Sequence, residues 1–174
     1  MIRREFLIAR ISLFAALVYV LSLATSMVPN FNPIFFIVFI AGYLWGKIPG
    51  IVVGAVGMAL WTLFNPYGPA ALPVMAAQVV GSALCGLFGG ILQNQPIENL
   101  KQKFYLTALF GLLCSLLFFI PVNLVDAYIS QPFWPRFWGG MSWLLVSIIS
   151  NMIIFPLLFV ALSPFLVKEK KRMA

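Results

Sequence analysis

The chain has 174 residues, of which 63% are apolar and 9% are charged, and its formal net charge is +7. Soluble domains carry about 25% charged residues, so this composition excludes an ordinary soluble protein and indicates a polytopic membrane protein. Spans and short connections use almost the whole chain, so an additional soluble domain of ~100 residues is not expected. We therefore predict that residues 1–174 form a single integral membrane domain.

Apolar segments separated by polar or proline-containing turns predict six membrane-spanning helices. The predicted spans cover residues 6–28, 33–46, 49–63, 71–92, 104–125 and 141–167. The first span has full crossing length and no cleavage site, so we expect it to stay in the membrane. The second and third spans are short, and the sequence allows either two steep helices or a re-entrant hairpin. The expected fold is an all-α, compact bundle of six transmembrane helices.

Small residues recur every fourth position in spans two to four, a pattern that lets helix backbones approach closely inside a bilayer. The rows are Gly42, Gly46, Gly50 and Gly54; Ala77, Gly81, Cys85 and Gly89; and Ser82, Gly86 and Gly90. We expect the fourth span to be central in the bundle. Both cysteines, Cys85 and Cys114, fall in apolar spans and are interpreted as packing residues without a redox role.

Lysine and arginine residues are distributed unequally between the two sides of the predicted bundle. Six crossings place ten of them on one side and only Arg136 on the other, and the positive-inside rule assigns the basic side to the cytoplasm. Both termini are therefore expected inside, with Arg10 extending to the interface. The net charge is attributed to topology and anionic lipid, and no nucleic acid is expected as a partner.

Two connecting segments are also predicted. Residues 47–49 are expected to form a turn, and the aromatic-rich segment 126–140 is expected to lie at the outer headgroup level between spans five and six.

Several kinds of chemistry are missing from the sequence. The chain contains no histidine, and its acidic residues, Glu5, Glu98, Asp126 and Glu169, lie at or beyond span ends. No carboxylate pair is available inside a span for acid–base catalysis or ion coupling, and there is no glycine-rich phosphate loop. We therefore expect no catalytic residues, no metal and no cofactor, and predict that the protein is not an enzyme.

Amide and aromatic side chains gather on the predicted outer face, where a stiff, proline-pinned loop precedes the fourth span. A mostly apolar pocket with a few polar groups could orient a flat ligand there. The candidate binding residues are Asn30, Asn32, Asn65, Tyr67, Gln78, Asn123, Asp126, Trp134 and Arg136. Trp134 can stack on a ligand or anchor the interface, while Asp126 and Arg136 can pair with each other or with a charged ligand.

Three amides have two possible roles each. Asn65 can cap its own turn or contact a ligand. A buried amide in a span needs a partner, which is either another helix or a bound molecule. Gln78 lies close to the loop, so we predict a ligand contact for it, whereas for Asn151 we predict bonding between helices.

The chain resembles the S components, the substrate-binding subunits of energy-coupling factor (ECF) vitamin transporters. The resemblance covers the whole length and rests locally on the first span from Ile8 to Leu23 and on the NPYGP loop at residues 65–69 before a Gly- and Ala-rich fourth span. That family carries an Ala-x-x-x-Ala pair in its first helix for docking onto the membrane subunit of the transporter. The matching positions are Ser12 and Ala16, with Ala9 one turn before, and they could alternatively pack within the bundle.

The resemblance implies capture of a small water-soluble vitamin or precursor outside the bacterial cytoplasmic (inner) membrane. Transport would then require an ECF transmembrane coupling subunit and two cytosolic ATPase subunits. The alternative is a non-transporting membrane scaffold, such as an MreD-like protein of cell-wall synthesis, which needs no ligand pocket.

Overall fold

The computed structural model describes residues 4–28, 31–95 and 99–173, and these residues form six α-helices joined by short connections. The helices are α1 (Arg4–Thr25), α2 (Ile34–Trp45), α3 (Lys47–Phe64), α4 (Leu72–Leu92), α5 (Leu100–Ile129) and α6 (Phe133–Met173). Five of them are long and apolar enough to cross a membrane, and α2 is the shorter one. The predicted all-α, multi-pass membrane fold is confirmed.

The short helix α2 occupies the centre of the bundle. It contacts all five other helices, and ten of its 12 residues are buried. The expectation that the fourth span is central was wrong: α4 packs against α2, α3 and α5 but leaves side chains such as Val80 exposed. At ~1.5 Å per residue α2 is only about 18 Å long. Because protein surrounds it, it does not need the ~30 Å length of a lipid-exposed span.

A single residue, Gly46, joins α2 to α3. Its φ of 101° lies in the left-handed region that glycine adopts without a steric penalty. Its N–H donates to the Gly42 carbonyl at 2.8 Å, which closes the last turn of α2. The predicted turn at residues 47–49 is instead the first turn of α3, where Pro49 is tolerated because the early helical N–H groups have no intrahelical partner.

The small-residue rows permit close backbone contact, as predicted, and the structure shows that this contact joins α4 to the α2–α3 pair. A Cβ added to Gly86 would overlap the carbonyl oxygen of Gly50, and one added to Gly42 would overlap that of Gly86. Farther along, a Cβ on Gly54 would lie 2.5 Å from the Ser82 carbonyl oxygen. Backbone therefore contacts backbone at these crossings, and larger residues would separate the helices.

The last two helices are longer than predicted. α5 continues to Ile129 and α6 begins at Phe133, so most of the aromatic-rich segment 126–140 is helical and the connection is only three residues long. The headgroup level accommodates helical as well as extended backbone. Pro132 precedes α6, and its carbonyl accepts from the Arg136 N–H at 3.4 Å at the start of that helix. α6 packs mainly against α5.

A buried polar cluster links α5 to α6. The Asn151 Nδ2 group donates to the hydroxyl oxygens of Ser115, at 2.9 Å, and Ser147, at 3.2 Å. All three side chains are fully buried. The predicted role of Asn151 in bonding between helices is confirmed.

The two ends of the bundle differ in charge. One end, here called the basic end, brings together Arg10 of α1 and Glu169 of α6 as an ion pair, and Lys170 donates to the Gln93 carbonyl at 2.6 Å. Arg10, which was expected to extend to the interface, also pairs with Glu169 because the two helix termini meet at this end. The other end, here called the opposite end, carries the connections α1–α2, α3–α4 and α5–α6.

Candidate functional site

A cavity of about 200 Å³ lies at the opposite end. Its lining residues are Ser22, Thr25, Ser26, Val28, Phe31, Asn32, Ile34, Met58, Trp61, Tyr67, Gln78, Phe118 and Phe119. Ile34 is the first residue of α2. The neighbouring helices α1, α3 and α4 extend beyond this point, so the cavity occupies the space that the short central helix leaves open.

The cavity has a hydroxyl-bearing wall and an apolar wall. Ser22 and Thr25 of α1 donate to carbonyls of their own helix, at 2.7 and 2.8 Å, which fixes the side chains and leaves their oxygens able to accept further hydrogen bonds. Across the cavity, Phe118 and Phe119 of α5 are buried against each other with ring centroids 5.1 Å apart. Such a lining has the chemical character of a site for a small, partly apolar molecule that carries hydrogen-bond donors.

Gln78 is the polar side chain of the site that most needs a partner. It lies in the second turn of α4 and lines the cavity. Its Oε1 atom is enclosed and has no hydrogen-bond partner within the described ranges. An unpaired buried amide oxygen costs about 1–3 kcal/mol.

The loop between α3 and α4 is held against α1 over the cavity. The Tyr67 hydroxyl donates to the Ser26 carbonyl at 2.9 Å, and the Tyr19 hydroxyl donates to the Phe64 carbonyl at 3.2 Å. Tyr67 itself is 72% exposed. Its ring therefore lies between the cavity and the outside, where it could cover a bound ligand.

The Asn65 side chain forms hydrogen bonds with the backbone of its own loop. Its Oδ1 accepts from the Tyr67 N–H at 2.9 Å and its Nδ2 donates to the Gly68 carbonyl at 2.8 Å. It is not among the lining residues of the cavity. Of the two roles that the sequence left open, the geometry favours turn capping, which positions Tyr67.

Asn65→Ala is expected to lower the free energy of unfolding by about 1–2 kcal/mol, because both turn hydrogen bonds are lost. Asn65→Asp keeps the acceptor and should lose roughly half as much. Thermal melting in detergent measures both variants. If Asn65→Ala melted like the wild type but lost ligand affinity, the Asn65 amide would instead contact the ligand.

The structure brings only part of the predicted site together. Asn32, Tyr67 and Gln78 line the cavity, and Asn30 lies outside the described residues. Asn123 packs against Gly140, where an added Cβ would lie 2.6 Å from its Cγ, and its Nδ2 is enclosed without a partner in the described part of the chain. It thus contributes to the α5–α6 contact and does not line the cavity.

The remaining predicted residues lie near the α5–α6 connection. Arg136 Nε donates to Asp126 Oδ2 at 2.8 Å, so these two side chains pair with each other. Both are substantially exposed, and an exposed ion pair of this kind contributes little to stability because water screens it. Trp134 is 64% exposed and packs edge-on against Phe133. None of the three lines the cavity.

The predicted docking residues Ala9, Ser12 and Ala16 are all exposed on the surface of α1. They therefore do not pack within this bundle, which was the alternative that the sequence left open. A small-residue surface on a membrane helix permits close approach of a second helix.

The sequence interpretation missed the hydroxyl-bearing wall. Thr25 and Ser26 follow Ser22 by three and four residues, which brings the three hydroxyls together at the end of α1 and in the turn after it. That spacing was readable from the sequence. Trp61, Phe118 and Phe119 gave no comparable signal, since an aromatic residue in an apolar span is ordinary.

Comparison of the chain with protein-family models, with curated proteins and with solved structures finds no match in any of the three.

Proposed function

We propose that this chain is the substrate-capture subunit of an ECF-type importer, which binds a small water-soluble vitamin or vitamin precursor in the cavity at the opposite end. The observation that supports this best is Gln78, whose enclosed Oε1 lacks a partner among the described residues and whose side chain lines the cavity. A hydrogen-bond donor on the ligand would give this oxygen a partner. The assigned role is binding, without catalysis or a cofactor.

The size of the cavity limits the ligand. Its volume of about 200 Å³ is below the roughly 300–1,000 Å³ of pockets for drug-sized molecules. A single-ring ligand would place its ring between Trp61 and Phe118 and direct a donor group to Gln78. Release or entry would involve the Tyr67 loop, which one tyrosine hydroxyl bond fastens to α1 while a second fastens the adjoining end of α3.

The proposed partners follow from the resemblance and from the surface of α1. Ala9, Ser12 and Ala16 would contact the ECF transmembrane coupling subunit, and two cytosolic ATPase subunits would supply the energy. The proposed location is the bacterial cytoplasmic membrane, with the basic end in the cytoplasm and the cavity open to the outside.

Native mass spectrometry of detergent-purified protein from cells grown in rich medium tests the proposal. We expect a stoichiometric, vitamin-sized molecule that denaturation releases. Thermal melting against a vitamin panel provides the second measurement, because a ligand at 100 times its Kd stabilises by about 2.7 kcal/mol. An empty protein that no vitamin stabilises would contradict capture and favour the scaffold alternative.

A further inference from the structure

A second cavity lies at the basic end, about 180 Å³ in volume, between the first part of α1, the end of α2 and the end of α6. Three charged side chains line it: Arg10, Glu169 and Arg172. Two guanidinium groups and one carboxylate give the charged lining of this cavity a net charge of +1. Glu169 is buried and pairs with Arg10, whereas Arg172 is more distant from it, at 3.8 Å, and is 61% exposed.

The cavity also contains an indole donor. Trp45, the last residue of α2, lines it and is only 9% exposed. Its Nε1–H is enclosed and has no acceptor in the ranges that the structure describes. Tryptophan nitrogen is a donor only, so the group that would satisfy it must be an acceptor.

The remaining walls are apolar and come from Phe14, Leu44 and Phe165. Phe165 is 54% exposed, so the apolar side of the cavity continues onto the surface that the membrane covers. An inorganic anion would gain nothing from this side, whereas an amphiphile would bury hydrocarbon there.

We propose that this cavity binds the phosphodiester group of an anionic phospholipid in the leaflet that surrounds the basic end. The phosphate oxygens accept from the Trp45 indole, after a small adjustment of the ring, and from the Arg172 guanidinium. The glycerol and the first acyl carbons lie against Phe14 and Phe165. Glu169 holds Arg10 in place beside the headgroup. This site is independent of the ligand at the opposite end.

Native mass spectrometry of the full chain in detergent, titrated with phosphatidylglycerol or with zwitterionic phosphatidylcholine, tests the site. We expect a 1:1 phosphatidylglycerol complex that is weakened about tenfold in Arg172→Gln and in Trp45→Phe, each of which removes a phosphate donor. Lys171→Gln is the matched control, since it removes the same charge from an exposed neighbour outside the cavity. Its affinity should equal that of the wild type.

Three results would overturn the assignment. Equal affinity for the two lipids would show that the net charge of the cavity does not select the lipid. Equal losses of affinity in Lys171→Gln and Arg172→Gln would show that binding depends only on the overall positive charge of this end. Displacement of the lipid by glycerol phosphate at a similar concentration would show a site for soluble phosphate instead of lipid. Arg172 is exposed, so its variant should fold, and unchanged melting without lipid verifies this.

Discussion

Replacing Gly86 with alanine is expected to destabilise the protein strongly. The new Cβ would overlap the Gly50 carbonyl oxygen, which belongs to the backbone and cannot rotate away. The contact between α4 and α3 must therefore open. Overpacking of this kind costs about 3 kcal/mol. For a chain of this size that corresponds to a melting temperature lower by roughly 6–12 °C.

Gly139→Ala is the control for this prediction. Gly139 lies in α6, and a Cβ added there would meet no atom within 4 Å. Since alanine favours the helix over glycine by about 1 kcal/mol, this variant should melt at the same temperature as the wild type or slightly higher. If Gly86→Ala also melted like the wild type, the close crossing of α4 and α3 would be contradicted.

Gln78→Met is expected to abolish most of the ligand affinity while leaving the fold intact. Methionine has a similar length and no amide, so the substitution removes the hydrogen bond without creating a large void. Loss of one buried hydrogen bond costs about 1–3 kcal/mol, which is roughly a 5- to 150-fold increase in Kd. Isothermal titration with the vitamin that the panel identifies measures the change.

The stability of the unliganded Gln78→Met protein provides an internal check. Because Oε1 has no partner in the described structure, its removal should leave the melting temperature unchanged or raise it. Gln95→Met is the matched control, since Gln95 is exposed at the basic end and should not affect ligand affinity. Equal affinity of the Gln78 variant and the wild type would exclude Gln78 from the site.

The two proposed sites make separable predictions. Variants at Gln78 act on a soluble ligand at the opposite end, and variants at Trp45 and Arg172 act on lipid at the basic end. The two cavities have no lining residue in common. A variant at one site that changed binding at the other would indicate coupling through α2, whose first residue lines one cavity and whose last residue lines the other.

Features that depend on local patterns were predictable before the fold was known. The lengths of the apolar segments predicted all six helices, and the ends of α2 and α4 lie within one residue of the predicted bounds. The four-residue spacing of glycines predicted that helix backbones approach closely, whereas the pairing of Gly42 with Gly86 was seen only in the structure. The buried amide Asn151 required a partner, and α5 supplies it.

Which polar residues share a cavity could not be predicted in the same way, because it depends on how the helices pack together. Asn32 and Gln78 come together with α1 hydroxyls because a short central helix ends below its neighbours, and that depth depends on packing against five helices at once. The same packing separates Asn123 and Arg136 from the cavity and turns Asn65 toward its own loop. Local patterns specify which side chains need partners, but contacts between residues distant in sequence determine which partner each one meets.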